Sequence, residues 1–177
     1  AVLGRAPDMQ RIRTHPGVLS VEFSRATPLQ LAADRAAVVV VARTIDATDP
    51  GAALPLVGRP LAWQPDQPPP VWVSEAMVDL YGARVGGILD LPLAGGLHRF
   101  TVLGVWRDYA RQFGSVAMRA EDYQRITGDS SRTDAAIWLR PGVQAADVSR
   151  ELLQTLDSRE VIELRARQDH ALRPAGR

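Results

Sequence analysis

Cysteine is absent from this 177-residue chain, and so is lysine: all twenty-one basic positions are arginine. Without thiols there can be no disulfide staples, thiolate nucleophiles or cysteine metal sites, although the redox compartment stays open. The uniform use of arginine reads as composition bias, because the arginines are scattered and form no patch for phosphate. A formal charge of +1 removes strong attraction to nucleic acid or anionic lipid. Long apolar runs are missing as well. The longest, Ala36 to Ala42, is strand-sized and far below the roughly 20 residues that cross a bilayer. Histidines number three, His15, His98 and His170, with no pair at metal-site spacing. Gly86-Gly87 precedes a strand and Gly95-Gly96 reads as a hairpin turn, so neither aims helix amides at a phosphate. No cofactor, metal or catalytic residue is therefore assigned. Ser74 lacks the glycine-flanked elbow of a serine nucleophile.

What is present is enough for a core. Hydrophobic residues make up 46% and charged residues 23% of the chain. A chain of this length buries about 70% of the surface its unfolded form exposes. Gly4 to Arg13 predicts a helix with Met9 and Ile12 on its apolar face, ended by His15-Pro16-Gly17. Val18 to Leu31 predicts extended chain with a kink at Pro28. Ala36 to Arg43 predicts a strand whose continuous valines suit burial on both faces, paired antiparallel with the first. Asp46 to Pro70 is proline-rich without periodicity and reads as a stiff surface connector.

Val71 to Tyr109 is the densest stretch. Its strand leads to Ser74, expected to cap a helix from Glu75 to a stop at Gly82, and then to a hairpin turning at Gly95-Gly96. Ser115 to Met118 predicts a strand, Ala120 to Thr127 a helix, and Asp134 to Arg140 another strand. Gln144 to Leu156 predicts a helix presenting Val148, Leu152, Leu153 and Leu156, followed by a charged edge strand, Val161 to Leu164. Trp106 and Trp138 are expected in the core.

Four segments carry a family resemblance: VWVSEAMVDLYGARVGG, LDLPLAGGLHRFTVLGVWRDY, GSVAMRAEDYQRITGD and AAIWLRPGVQAADVSRELLQTL. Their order resembles the extracytoplasmic domain of FtsX-like ABC transporter permeases, the macrolide-exporter and lipoprotein-releasing types. The resemblance implies an α+β, two-lobed fold: a porter-like lobe from residues 1–45 plus 134–177, a connector at 46–70, and an inserted β-rich lobe at 71–133. It also implies a non-catalytic domain at the outer, periplasmic face of the cytoplasmic membrane, excised from between transmembrane helices. The implied partners are a separate ATP-binding subunit, a sister permease or second copy, and lipid, lipoprotein or hydrophobic cargo, with no nucleic acid. A secreted adaptor module is the competing reading.

The residues themselves offer one polar cluster on the end of an apolar strand. Arg107, Asp108, Tyr109 and Arg111 with Phe113 suit a carboxylate held between two guanidinium groups beside rigid aromatic surface, a candidate contact for substrate or partner. Trp63 and Trp72, flanking the prolines, are candidate anchors between lobes or contact residues.

Overall fold

The computed structural model describes residues 6 to 156. Among them are four helices and one mixed sheet of eight strands, an α+β fold. Helix α1 (Ala6–Thr14) leads into β1 (Val18–Leu29) and β2 (Val38–Arg43). A short 3-10 turn (Pro50–Ala52) and β3 (Leu56–Val57) lie in the connector. Then come β4 (Pro70–Ser74), α2 (Glu75–Tyr81), β5 (Ile88–Leu93), β6 (Gly96–Trp106), β7 (Ser115–Arg119), α3 (Ala120–Thr127), β8 (Asp134–Leu139) and α4 (Ala145–Thr155). The expected strand Val161 to Leu164, and His170, lie outside the described residues.

The sheet runs β3-β6-β4-β7-β2-β1-β8, with β5 hairpinned onto β6. β1 and β2 are antiparallel, as the short connection requires, whereas β2–β7 and β4–β6 are parallel. Strand β4 sits between β6 and β7 and is buried along its whole length, so its apolar run serves both faces. Pro28 stays within β1, opposite Val39, at a position past the last β8 pairing, Ser24↔Asp134. Its missing amide therefore costs no ladder bond.

Alternation along the strands sorts the core into layers. Val38, Val40, Val71, Val73, Val116 and Met118 turn to one face, under Met77 of α2 and Tyr123 of α3. Phe23 has the same parity in β1 and packs with Ile12 of α1 and with Val148 and Leu152 of α4, placing these helices on that face too. Trp72, Leu103, Trp106 and Ala117 form a third cluster with Leu54 of the connector and with Ile45 just ahead of it. The prolines thus hold a chain that covers a sheet face: Leu61 N–H donates to Leu103 C=O and Arg107 N–H to Pro55 C=O. Opposite Trp72 the β4–β6 register skips a residue, which brings Gly104 against the indole. A Cβ there would lie 3.1 Å from Trp72 Cδ1.

Several local expectations are corrected. The hairpin turns at Ala94-Gly95, not Gly95-Gly96: both residues have positive φ, 50° and 78°, while Gly96 already pairs with Leu93. Positive φ at both central positions matches the right-handed strand twist, and here it is accepted by an alanine. Ser74 precedes α2 in extended geometry but makes no side-chain cap. Its hydroxyl oxygen instead accepts from Ser115 N–H at 2.9 Å, because Ser74 also ends a fully buried strand beside β7. Trp138 is 45% exposed, not core, since β8 ends the described sheet and every second side chain faces out. Leu153 of α4 is half exposed for a similar reason, Val148 and Leu152 taking the buried stripe. Gly82 does stop α2, with φ 65° and its amide bonded to Val78 C=O.

Gly114 holds the joint before β7. Its φ is 110°, and an added Cβ would approach Met77 Sδ to 2.8 Å. Gly114→Ala is expected to lower stability by about 2–3 kcal/mol through backbone strain and overpacking, read from the urea midpoint at unchanged slope.

Candidate functional site: an aromatic loop pinned by a buried carboxylate

The chain leaving β6 at Trp106 must cross to β7 through the residues 107–114, and a buried aspartate organises that crossing. The Asp108 side chain is only 3% exposed. Its Oδ1 accepts from Ala110 N–H at 3.0 Å, folding the loop tightly. Its Oδ2 accepts from Ser115 Oγ at 2.7 Å and from Arg111 Nη1 at 3.1 Å. Ser115 is wholly buried, and its amide donates to Ser74 Oγ. A chain of hydrogen bonds therefore runs Ser74, Ser115, Asp108, Arg111, from the end of β4 to the loop surface. Burying a carboxylate is costly unless its lone pairs are satisfied, and three donors here converge on it.

The expected corner of one carboxylate between two guanidinium groups is half realised. Arg111 pairs with Asp108, but Arg107 turns to Glu75 at the start of α2, Nε to Oε2 3.4 Å. Hydrogen bonding to Tyr109 and then to Glu75 holds Arg107 above the ordinary arginine value, so it carries its charge throughout the physiological range. This surface pair is solvated on both sides and orients more than it stabilises.

With its base fixed, the loop displays its aromatics. Tyr109 is 82% exposed and Phe113 61%. Beside Phe113 lies an open groove of about 290 Å³ lined by Ala37, Val39, Ala110, Gln112 and Gly114. Exposed aromatics on a fixed backbone lose little entropy on binding, which is what a contact surface requires.

The two tryptophans lie elsewhere. Trp72 has no exposed surface and packs within the third core cluster. Trp63 is half buried: its Nε1 donates to Pro68 C=O at 3.1 Å, and the Arg119 guanidinium lies 4.8 Å from the ring centroid. Arg119 is itself held by Asp122 at 2.7 Å, so this indole ties the connector to the β7–α3 junction. Among the described residues, no hydrogen bond or ring contact joins Trp63 to the loop. Sequence reasoning missed three supports of the site: Ser115, Ser74 in its actual role, and Glu75 as the partner of Arg107. A serine opening an otherwise apolar strand was the available signal for Ser115.

No group of three or more ligating side chains that could hold a metal occurs among the described residues. Nor is any of their helices long and apolar enough to cross a membrane.

No protein-family model matches the chain, and no curated protein matches it. Solved structures do. The extracellular domain of the noncanonic ABC-type transporter YknZ from Gram-positive bacteria superposes with a TM-score of 0.58, at 11% identity, over 86% of this chain and 81% of that one. The periplasmic region of MacB from Actinobacillus actinomycetemcomitans gives 0.56 at 13% identity, over 87% and 73% respectively. The fold is that of extracytoplasmic ABC-permease domains. At such identities, what is shared is the arrangement of elements. In this fold the loop from Arg107 to Phe113 links β6 to β7 at the centre of the sheet.

Asp108→Ala should leave Ser115 Oγ without its acceptor and release the loop. The expected cost is about 1–3 kcal/mol for unsatisfied buried partners. Hydrogen exchange should rise at Ala110 to Gly114 while the amides of β4 and β8 keep their protection.

Proposed function

We propose that this chain is the extracytoplasmic domain of an FtsX-like ABC transporter permease, non-catalytic, engaging cargo or a partner outside the membrane and coupling that engagement to ATP hydrolysis by a separate subunit. The observation that carries the reading is the shared fold with two extracytoplasmic transporter domains over nearly the whole described chain. The order of the four sequence segments supports the FtsX-like type independently.

In this reading the domain is anchored at the outer face of the cytoplasmic membrane by helices flanking it. It divides into a porter-like lobe, residues 1–45 with 134–177, and an inserted lobe, 71–133, joined through connector 46–70. One apolar cluster gathers around α1 and α4, and a second around α2 and α3 that also takes in Val38, Val40 and Ala42 of β2. The ladder between β2 and β7 is then the joint through which a shift in one lobe reaches the other. The Arg107 to Phe113 loop sits directly on this joint, because Gly114 C=O accepts from a β2 amide, Val39 N–H. Tyr109 and Phe113 supply apolar area for lipid, lipoprotein or another hydrophobic cargo, or for a sister permease, and the arginines supply orientation.

The full-length protein in membranes, carrying a photo-crosslinker at Gln112, should capture cargo or a transporter partner. Tyr109→Ala with Phe113→Ala should lower both capture and cargo-stimulated ATP hydrolysis about tenfold, the loss of two well-placed aromatic anchors. Capture of a soluble protein only, from a full-length chain with no hydrophobic spans around this domain, would establish the secreted adaptor instead.

A further inference from the structure

A second groove, of about 470 Å³, lies away from the loop, and its lining includes Arg13, Val21, Phe23, Asp46, Asp49 and Ala52. Its origin is a mismatch of strand lengths. β8 pairs with β1 from Val18 to Ser24, but β2 pairs only from Ser24↔Arg43 onward, after which Thr44 leads the chain into the connector. On the side where β2 has departed, Val18 to Phe23 has no strand partner among the described residues. The polarity of that edge can be read from its neighbours. Ser24 C=O accepts from Thr133 N–H and Ala26 N–H donates to Thr133 Oγ1, so even-numbered residues turn their main-chain groups toward β8. Val21 and Phe23 therefore turn theirs the other way, into the groove. The lining agrees, because it includes Glu22 as well as Val21 and Phe23, side chains from both faces of one strand. The groove thus runs along the strand edge, between the helix layer and the connector.

Its charges are unequally committed. Arg43 holds Glu22 at 2.6 Å. The hydroxyl of Thr48, and then its amide, hold Asp46 below the usual carboxylate range. Arg132, also in the lining, is turned onto the main-chain oxygens of Ser130 and Ser131. Arg13 and Asp49, of opposite sign, are left. Arg13 lies across the Phe23 ring, 5.0 Å from its centroid, with no carboxylate in ion-pair range among the described residues. Asp49 is exposed ahead of the 3-10 turn and makes no side-chain cap there, nor any ion pair within the described residues.

We propose that this groove is a strand-addition site that takes an extended polypeptide segment of a partner protein, carrying one basic and one acidic side chain. The segment's main chain pairs with Val21 and Phe23, its basic residue meets Asp49, and its acidic residue meets Arg13. A peptide fits better than a compact small molecule because the unmet groups are main-chain donors and acceptors at strand spacing. Val21 to Phe23, the part of the edge that lines the groove, spans about 10 Å. This site is separate from the aromatic loop, and its existence does not rest on the transporter reading.

The probes are synthetic eight-residue peptides of alternating valine and threonine, with lysine and glutamate four positions apart in either order. Each is also made with alternate amides N-methylated. Fluorescence anisotropy with the full chain should show one order binding in preference to the other. N-methylation on the pairing edge should weaken binding about tenfold or more, since it removes main-chain donors. Asp49→Lys, an exposed change expected to leave thermal unfolding unaltered, should weaken it about tenfold. Val21→Pro should do the same by deleting an edge amide, with Asp49→Lys deciding if that variant does not fold. Absence of binding by any peptide up to about 1 mM overturns the proposal. So does binding indifferent to N-methylation, which would mark recognition of side-chain charge alone, as by a small zwitterion. Concentration-dependent dimerisation that blocks the peptides would assign the edge to a second copy and overturn it equally.

Discussion

The parallel ladder between β2 and β7 is the constraint on which the rest of the structure depends. It pairs Val39 through Arg43 with Ser115 through Arg119, segments more than seventy positions apart in the chain. Parallel strands cannot be joined by a tight turn, so everything between them must be spent on a return path. That path is the connector, β4 and its helix, and the β5–β6 hairpin, which then extend the same sheet on the far side of β7. Because the joined strands are buried on both faces, they need cover above and below. Helices α2 and α3 provide one side, and Ile45 with Leu54 of the proline-rich connector helps provide the other.

The polar chain at this joint follows from the same arrangement. Ser74 and Ser115 end and begin neighbouring buried strands, where unpaired main-chain groups would be costly. The Ser74 hydroxyl oxygen accepts from the Ser115 amide, and the Ser115 hydroxyl then donates to Asp108. Only after this interior bookkeeping is closed does the loop have a fixed base from which Tyr109 and Phe113 project. A potential contact surface and the integrity of the sheet are thereby coupled: the carboxylate that shapes the loop also bonds to the first residue of β7. The unpaired edge of β1 arises from the opposite circumstance, a partner strand that leaves early to begin the connector.

Much of the element order was legible from the chain. The valine run Val38 to Val41 announced a strand buried on both sides, Gly82 the end of α2, and Val148 with Leu152 the buried stripe of α4. These signals are local, set by side-chain period and by glycine's freedom at positive φ. The misreadings came where a distant segment competed for a group. Ser74 had the position of a helix cap, but a strand forty residues later offered its hydroxyl a buried amide to satisfy. Trp138 had the spacing of a core residue, but nothing in its own segment revealed which side of β8 would face outward. Of the candidate contact residues, Tyr109 and Phe113 lie exposed, while Trp72 is drawn wholly inside.

By itself the sequence determined the kinds of elements, their order, the α+β class and the absence of thiol chemistry, because each depends on composition or on spacing within one segment. Tertiary structure decided the rest: which strands run parallel, that Arg107 pairs with Glu75 while Arg111 takes Asp108, and that the connector covers a sheet face. The physical reason is the same in every case. A hydrogen-bonding or charged group chooses among all partners within reach, and in a sheet joined across its whole length those partners come from anywhere in the chain.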